Sequence, residues 1–308
     1  MKIAVIDIGT LKVKMLMGNV TSSNKFETLY QSNTLTCLGV RMTENNNRPQ
    51  EKNLNQTLEE LKRCEKLLRQ AKVEKVRVVS THALREMGEV GNEIANKIRK
   101  EVGMKIEIIS QDEEAQLFFN AVMRDFKTDS DFTVVDVGGG SVQILIGNKH
   151  KLKHKYLLKT GAQYLFDNFT PRHTGSDFPT REEIRNMQDY VIRELAPVPK
   201  AIETPVIYGS SCIIDVFKQI GLNMQKYYLS KSHPFRADVN ELEKFSEKIT
   251  PIPYDEREKN YQLDQKYYLW GIEKAFINIL EICKKERSPF IIPSNSNIND
   301  GLVMSMRE

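Results

Sequence analysis

The sequence predicts an α/β protein of two related domains, each a mixed sheet flanked by helices. The strongest sign is an internal repeat: residues 4–19 and 133–148 are near copies, with Asp7, Gly9, Gly18 and Asn19 recurring 129 positions later as Asp136, Gly138, Gly147 and Asn148. Each copy reads as a β-branched strand, a sharp turn carrying Asp and Gly, and a second strand. The second sign is the alternation of strand and helix patterns that follows three meandering strands. The third is length, since 308 residues are enough for two domains and many for one core. The polar run from Lys127 to Asp131 is the expected junction, giving domains 1–126 and 127–308.

In chain order, apolar runs predict strands at residues 3–6, 13–20 and 26–34, then a polar loop over 41–51. Leu54, Leu58, Leu61 and Leu68 recur at helical spacing. A strand is expected at 76–79, a helix at 92–102 with Ile94, Ile98 and Val102 aligned, and a strand at 105–109. The same order restarts at Phe132. Near the end, Tyr268, Ile272, Ala275, Phe276, Ile279 and Cys283 form an apolar stripe that reads as core packing.

Composition is that of an ordinary globular chain, 40% hydrophobic and 28% charged, so most of it should be ordered. No apolar run is long enough to cross a bilayer and the N-terminus has no signal-peptide pattern, so a cytoplasmic protein is expected, with no membrane partner. Cys37, Cys64, Cys212 and Cys283 lack the spacing of a disulfide framework or a zinc site. The net charge of +4 is small, but Lys149, His150, Lys151, Lys153, His154 and Lys155 cluster. Such a run suits a solvated hairpin or edge strand, or an electrostatic lure for a polyanion. No aromatics interleave along a basic groove in a way that would argue for single-stranded nucleic acid, and no nucleic-acid partner is expected.

Asp and Gly are common turn formers, so either turn alone would suit an ordinary hairpin. Two matched copies point further. Glycine lets backbone approach a ligand, and an Asp at a strand end beside turn N–H groups suits phosphate with its accompanying metal. The helix after Ser110 opens with two adjacent glutamates, Glu113 and Glu114. Ser110 and Glu113 have capping-box spacing, which gives Glu113 a structural task, folding back on its own backbone, while Glu114 is free to project. By itself Glu114 would read as a solvated first-turn glutamate favoured by the helix dipole. Arg85, four residues after Thr81, carries a fork suited to a pair of phosphate oxygens, or to an ion pair with Glu86.

Four segments together resemble the exopolyphosphatase and guanosine pentaphosphate phosphatase (Ppx/GppA) family of the actin, sugar-kinase and Hsp70 superfamily: Asp7 to Lys14, Ser80 to Glu86, Ile109 to Leu117, and Asp136 to Gln143. The resemblance implies two actin-like (ribonuclease H-like) domains with mixed five-stranded sheets, and a cleft across which the two Asp-Gly turns face each other. It implies Mg²⁺ held by Asp7 and Asp136, and Glu114 as the general base. Phosphate binding is expected of Gly9, Thr10, Lys12, Lys14, Thr81, Arg85, Gly138, Gly139, Gly140, Ser141, Gly209 and Ser211. The implied substrates are polyphosphate or guanosine penta- or tetraphosphate, and a homodimer is the expected assembly.

The chain departs from the family pattern at several polar positions. Leu11 and Lys12 replace the last polar pair of the first turn, Val142 and Gln143 replace a Thr-Glu pair after the second, and Cys212 and Ile213 replace Gly-Thr in a later motif. Near the C-terminus, Asn299, Asp300 and Gly301 stand where relatives carry an arginine before a glycine. Loss of the acid at Gln143 should weaken Mg²⁺ affinity, and Lys12 could take over part of the metal's electrostatic role. The expected activity is therefore a phosphoanhydride hydrolase, weak or lost. One alternative is a degenerate, non-catalytic member that binds polyphosphate or a nucleotide and signals by domain closure. A kinase of the same superfamily is disfavoured by Cys212 and Ile213.

Overall fold

The computed structural model describes residues 1–170, 178–199, 204–264 and 266–307. In chain order the elements are β1 (Lys2–Ile8), β2 (Lys12–Val20), β3 (Phe26–Leu35), α1 (Glu51–Ala71), β4 (Lys75–Ser80), α2 (His82–Glu86), α3 (Glu89–Val102), β5 (Glu107–Ile108) and α4 (Gln111–Met123). There follow β6 (Phe132–Val137), β7 (Val142–Asn148), β8 (Lys151–Leu158), α5 (Ala162–Phe169), α6 (Arg181–Glu194), β9 (Val206–Gly209), α7 (Ile213–Gln219), β10 (Met224–Lys226) and β11 (Phe235–Asp238). The chain ends with α8 (Val239–Ile249), α9 (Tyr254–Asn260), α10 (Ile272–Glu286), β12 (Phe290–Ser294) and α11 (Ile298–Ser305). Among the described residues no helix is long and apolar enough to cross a membrane.

The residues form two units, Met1–Ala121 with Ile298–Glu308, and Val122–Asn297. The first holds a sheet of order β3-β2-β1-β4-β5, antiparallel from β3 to β1 and parallel from β1 to β5. β1 is apolar at nearly every position because both of its faces are covered. Ala4, Ile6 and Ile8 pack with Leu58 and Leu61 of α1 and Ile94 and Ile98 of α3. Ile3 and Val5 pack on the other face with Leu16, Val79, Leu117 of α4 and Leu302 of α11. The contact between α11 and α4 requires glycine at 301, where an added Cβ would lie 2.2 Å from the Leu117 carbonyl oxygen.

The second unit repeats this plan as β8-β7-β6-β9-β12 and adds β11 and β10 at one edge, so its sheet has seven strands where five were expected. Even the irregularities recur: β2 slips register between Met17 and Gly18, and β7 slips between Ile146 and Gly147. The apolar stripe of α10 lies in this unit's core. β8 is an edge strand, as the basic run suggested.

The division differs from the expected break after residue 126. The last helix belongs with the first unit, and residues 122–131 belong with the second. The polar junction is tied down by its own charges and amides. Asp125 accepts hydrogen bonds from Ser230 Oγ and the Ser232 N–H, and the Lys127 N–H donates to the Leu229 carbonyl. Asp129 meets Lys149 and His150, while Asp131 meets Lys153.

Candidate functional site

In both units the Asp-Gly turn is closed in the same way. The Gly9 N–H donates to the Lys12 carbonyl and the Gly138 N–H to the Ser141 carbonyl, each at 2.9 Å. The segment after the third strand of each repeat then takes up the turn's carbonyls. In the first unit, the N–H groups of Thr36 and Cys37 donate to the Leu11 carbonyl and that of Gly39 to the Thr10 carbonyl. In the second, the N–H groups at the start of α5 do so: Ala162 donates to the Gly138 carbonyl, and Gln163 and Tyr164 to the Gly139 carbonyl. This clasp needs glycine at 161, since a Cβ there would sit 2.4 Å from the Gly139 oxygen. With these carbonyl oxygens committed, an approaching anion is spared their repulsion.

Strand register places the acid of each turn. Asp7 lies directly across from Lys14, whose Nζ is 3.5 Å from Asp7 Oδ2; Asp136 lies directly across from Gln143. By strand alternation Asp7 shares the face of Ile3 and Val5, against which α4 packs. Asp7 is 3% exposed, and burial raises its carboxyl above the ordinary carboxylate range, opposed by the Lys14 charge and by hydrogen bonds from Lys14 and Thr81. Lys14 is therefore a cation paired with Asp7. Lys12 begins β2, and its carbonyl closes the turn.

Thr81 precedes α2, its carbonyl accepting the Arg85 N–H, and α2 delivers Arg85 to Glu114. Arg85 Nη1 donates to Glu114 Oε2 at 3.0 Å and to the Ile109 carbonyl at 3.1 Å. Arg85 Nη2 is buried with no hydrogen-bond partner among the described residues. Glu114 is itself 8% exposed, so it is no solvated first-turn glutamate. Ser110 Oγ does cap α4 by accepting the Glu113 N–H. The expected return bond from the Glu113 side chain is replaced by an ion pair with Arg77, 2.7 Å away.

Thus Asp7, Lys14, Thr81, Arg85 and Glu114 form a connected set within the first unit. In the second, Gly209 ends β9 level with Asp136 in the ladder, and burial, together with the Asp136 charge, pushes the Tyr208 phenol well above its usual range. The Ser211 carbonyl accepts from Tyr268, and Ser211 Oγ is buried without a partner among the described residues. Sequence reasoning missed the two clasping segments. The signal available was a glycine shortly after the third strand of each repeat, Gly39 and Gly161.

No three His, Cys, Asp or Glu side chains among the described residues could hold a metal by themselves. Asp7 Oδ1, however, is buried with no hydrogen-bond partner there. One such acceptor fits Mg²⁺, which binds through one or two carboxylates and completes its shell with water and substrate phosphates.

The model of the Ppx/GppA phosphatase family matches residues 19–268. The chain is 29% identical over 174 residues to the bifunctional 3-dehydroquinate synthase/phosphatase of Fusobacterium nucleatum, covering 54% of this chain and 26% of that protein. It is 26% identical over 211 residues to exopolyphosphatase 2 of Mycobacterium tuberculosis, covering 65% and 64%. In both cases the match spans less than two thirds of the relative. The crystal structure of an exopolyphosphatase from Cytophaga hutchinsonii superimposes with a TM-score of 0.83 at 22% identity, covering 100% of this chain and 98% of that one, a likeness of fold.

Proposed function

Because the chain belongs to the Ppx/GppA phosphatase family, we propose that it hydrolyses the terminal phosphoanhydride of inorganic polyphosphate or of a guanosine penta- or tetraphosphate. The observation that carries this reading is the Arg85–Glu114 pair, in which a buried carboxylate is held in place by a guanidinium that keeps one nitrogen unsatisfied. Arg85 Nη2 takes an oxygen of the terminal phosphate, and Lys14 offsets a further negative charge. Glu114 accepts the proton of the attacking water as oxygen bonds to the terminal phosphorus and the bridging P–O bond breaks, leaving the shortened chain as the departing phosphate. Asp7 is the residue that would hold Mg²⁺. When bound, the ion would neutralise phosphate charge and polarise the phosphorus. The glycine turns cradle phosphate oxygens.

Phosphate release from polyphosphate, guanosine pentaphosphate and ATP, assayed side by side with Mg²⁺, tests the proposal. Release from either of the first two, abolished by Glu114→Gln, supports hydrolysis. Tight binding of a polyphosphorylated compound with no release overturns it in favour of a binding protein.

A further inference from the structure

The two repeats place different side chains at one structurally equivalent position. Lys14 stands across the strand pair from Asp7, and Gln143 stands across the corresponding pair from Asp136. We propose that Gln143 binds a substrate phosphate oxygen directly through its carboxamide N–H, as the second unit's counterpart of Lys14. This rests on the phosphate-chain reading above and adds to it a residue that the Asp-Gly turns alone do not supply.

Gln143 is 1% exposed and follows the Gly138–Ser141 turn by two residues. Its Nε2 donates to Ser141 Oγ over 3.3 Å, a long bond, and its Oε1 is buried with no partner among the described residues. A buried amide left half-satisfied costs free energy and calls for a partner. The terminal amide torsion is soft, and a serine hydroxyl can donate as well as accept. A half-turn of the carboxamide therefore lets Ser141 donate to Oε1 and presents both Nε2 hydrogens to an acceptor. A deprotonated phosphate oxygen is such an acceptor. The exchange satisfies the whole amide, which no arrangement with Ser141 alone does. Charge points the same way. A glutamate at this position would set two carboxylates opposite one another across the strands, a repulsive pair unless a cation lay between them. The amide removes that requirement, so phosphate contact at this turn needs no metal.

Binding of inorganic tripolyphosphate to the full chain, measured by titration calorimetry in EDTA and in excess Mg²⁺, tests the assignment. Gln143→Leu should weaken binding by about tenfold or more in both conditions, the loss expected for one hydrogen bond to a charged group. Gln143→Glu should weaken it by a similar factor in EDTA and recover with Mg²⁺, to a greater extent than Mg²⁺ improves the unmodified protein. Melting curves without ligand verify the fold, and the isosteric glutamate variant keeps the test decisive if the leucine variant does not fold. Affinities in EDTA equal to that of the unmodified protein for both variants overturn the proposal. If the unmodified protein binds tripolyphosphate but releases no phosphate, the hydrolase reading fails while the affinities still judge Gln143. If it binds none, both fail.

Discussion

Glu113 and Glu114 are adjacent in sequence and opposite in circumstance, one paired with Arg77 at the surface and the other buried against Arg85. Glu114→Gln should lower turnover by roughly a hundredfold or more with affinity little changed, as loss of a general base requires. Glu113→Gln should cost about 1 kcal/mol of stability or less, the scale of an exposed ion pair, and leave turnover intact. Steady-state kinetics and thermal melts of the two variants would separate the roles, and an exchange of behaviours would refute the assignment. The capping spacing was legible because it is local. The Arg85–Glu114 contact, 29 residues apart, was not. Glu286 gives a residue-scale pH dependence. It is buried at the end of α10, where burial raises its carboxyl above the ordinary range against hydrogen bonds from Thr204 and Thr133. The folded state therefore prefers the protonated form: the contribution to stability is full below the unfolded-state value and is lost as pH rises through the raised one. Glu286→Gln should remove that loss, so its melting temperature relative to the unmodified protein should improve from mildly acidic to neutral pH.

Among the elements, α5 shows how a helix can serve a turn whose residues it does not contain. Its opening N–H groups are spent on the Gly138 and Gly139 carbonyls. Gly161→Ala would push a methyl group against the turn's backbone, and a loss of about 1–3 kcal/mol is expected from such overpacking, read as a lowered denaturation midpoint together with weaker phosphate binding. α10 is held by charge as well as by its apolar stripe. Arg257 and Lys274 both meet Glu273 in the interior, and Lys274 Nζ also donates to the Tyr254 hydroxyl. Glu273→Gln leaves two buried cations without their anion and should destabilise the protein by about 3–5 kcal/mol, measurable by chemical denaturation. The stripe could be read at helical spacing. The ion cluster could not, because Arg257 lies on α9 and reaches Glu273 only once the two helices pack.

For the whole molecule, the second unit is one continuous segment, whereas the first needs both ends of the chain. Residues 122–297 expressed alone should therefore melt cooperatively. Residues 1–121 without the C-terminal segment should not, because Ile3, Val5, Leu16 and Val79 lose the cover of Leu302 and Val303. Circular-dichroism melts of the two fragments, with the missing helix added back as a peptide to the second, would check this. By itself the sequence determined the α/β class, the duplication, the order of the strands and longer helices of the first unit and the two Asp-Gly turns. All of these are written in hydrophobic periodicity and turn chemistry over neighbouring residues. Tertiary structure alone decided that α11 returns to the first sheet, that two further strands extend the second, and that residues 122–131 pack with the second unit. It also decided that Lys14 meets Asp7. Those outcomes depend on which faces remain uncovered and which charges remain unpaired once the elements exist, and contacts between residues distant in the chain settle them.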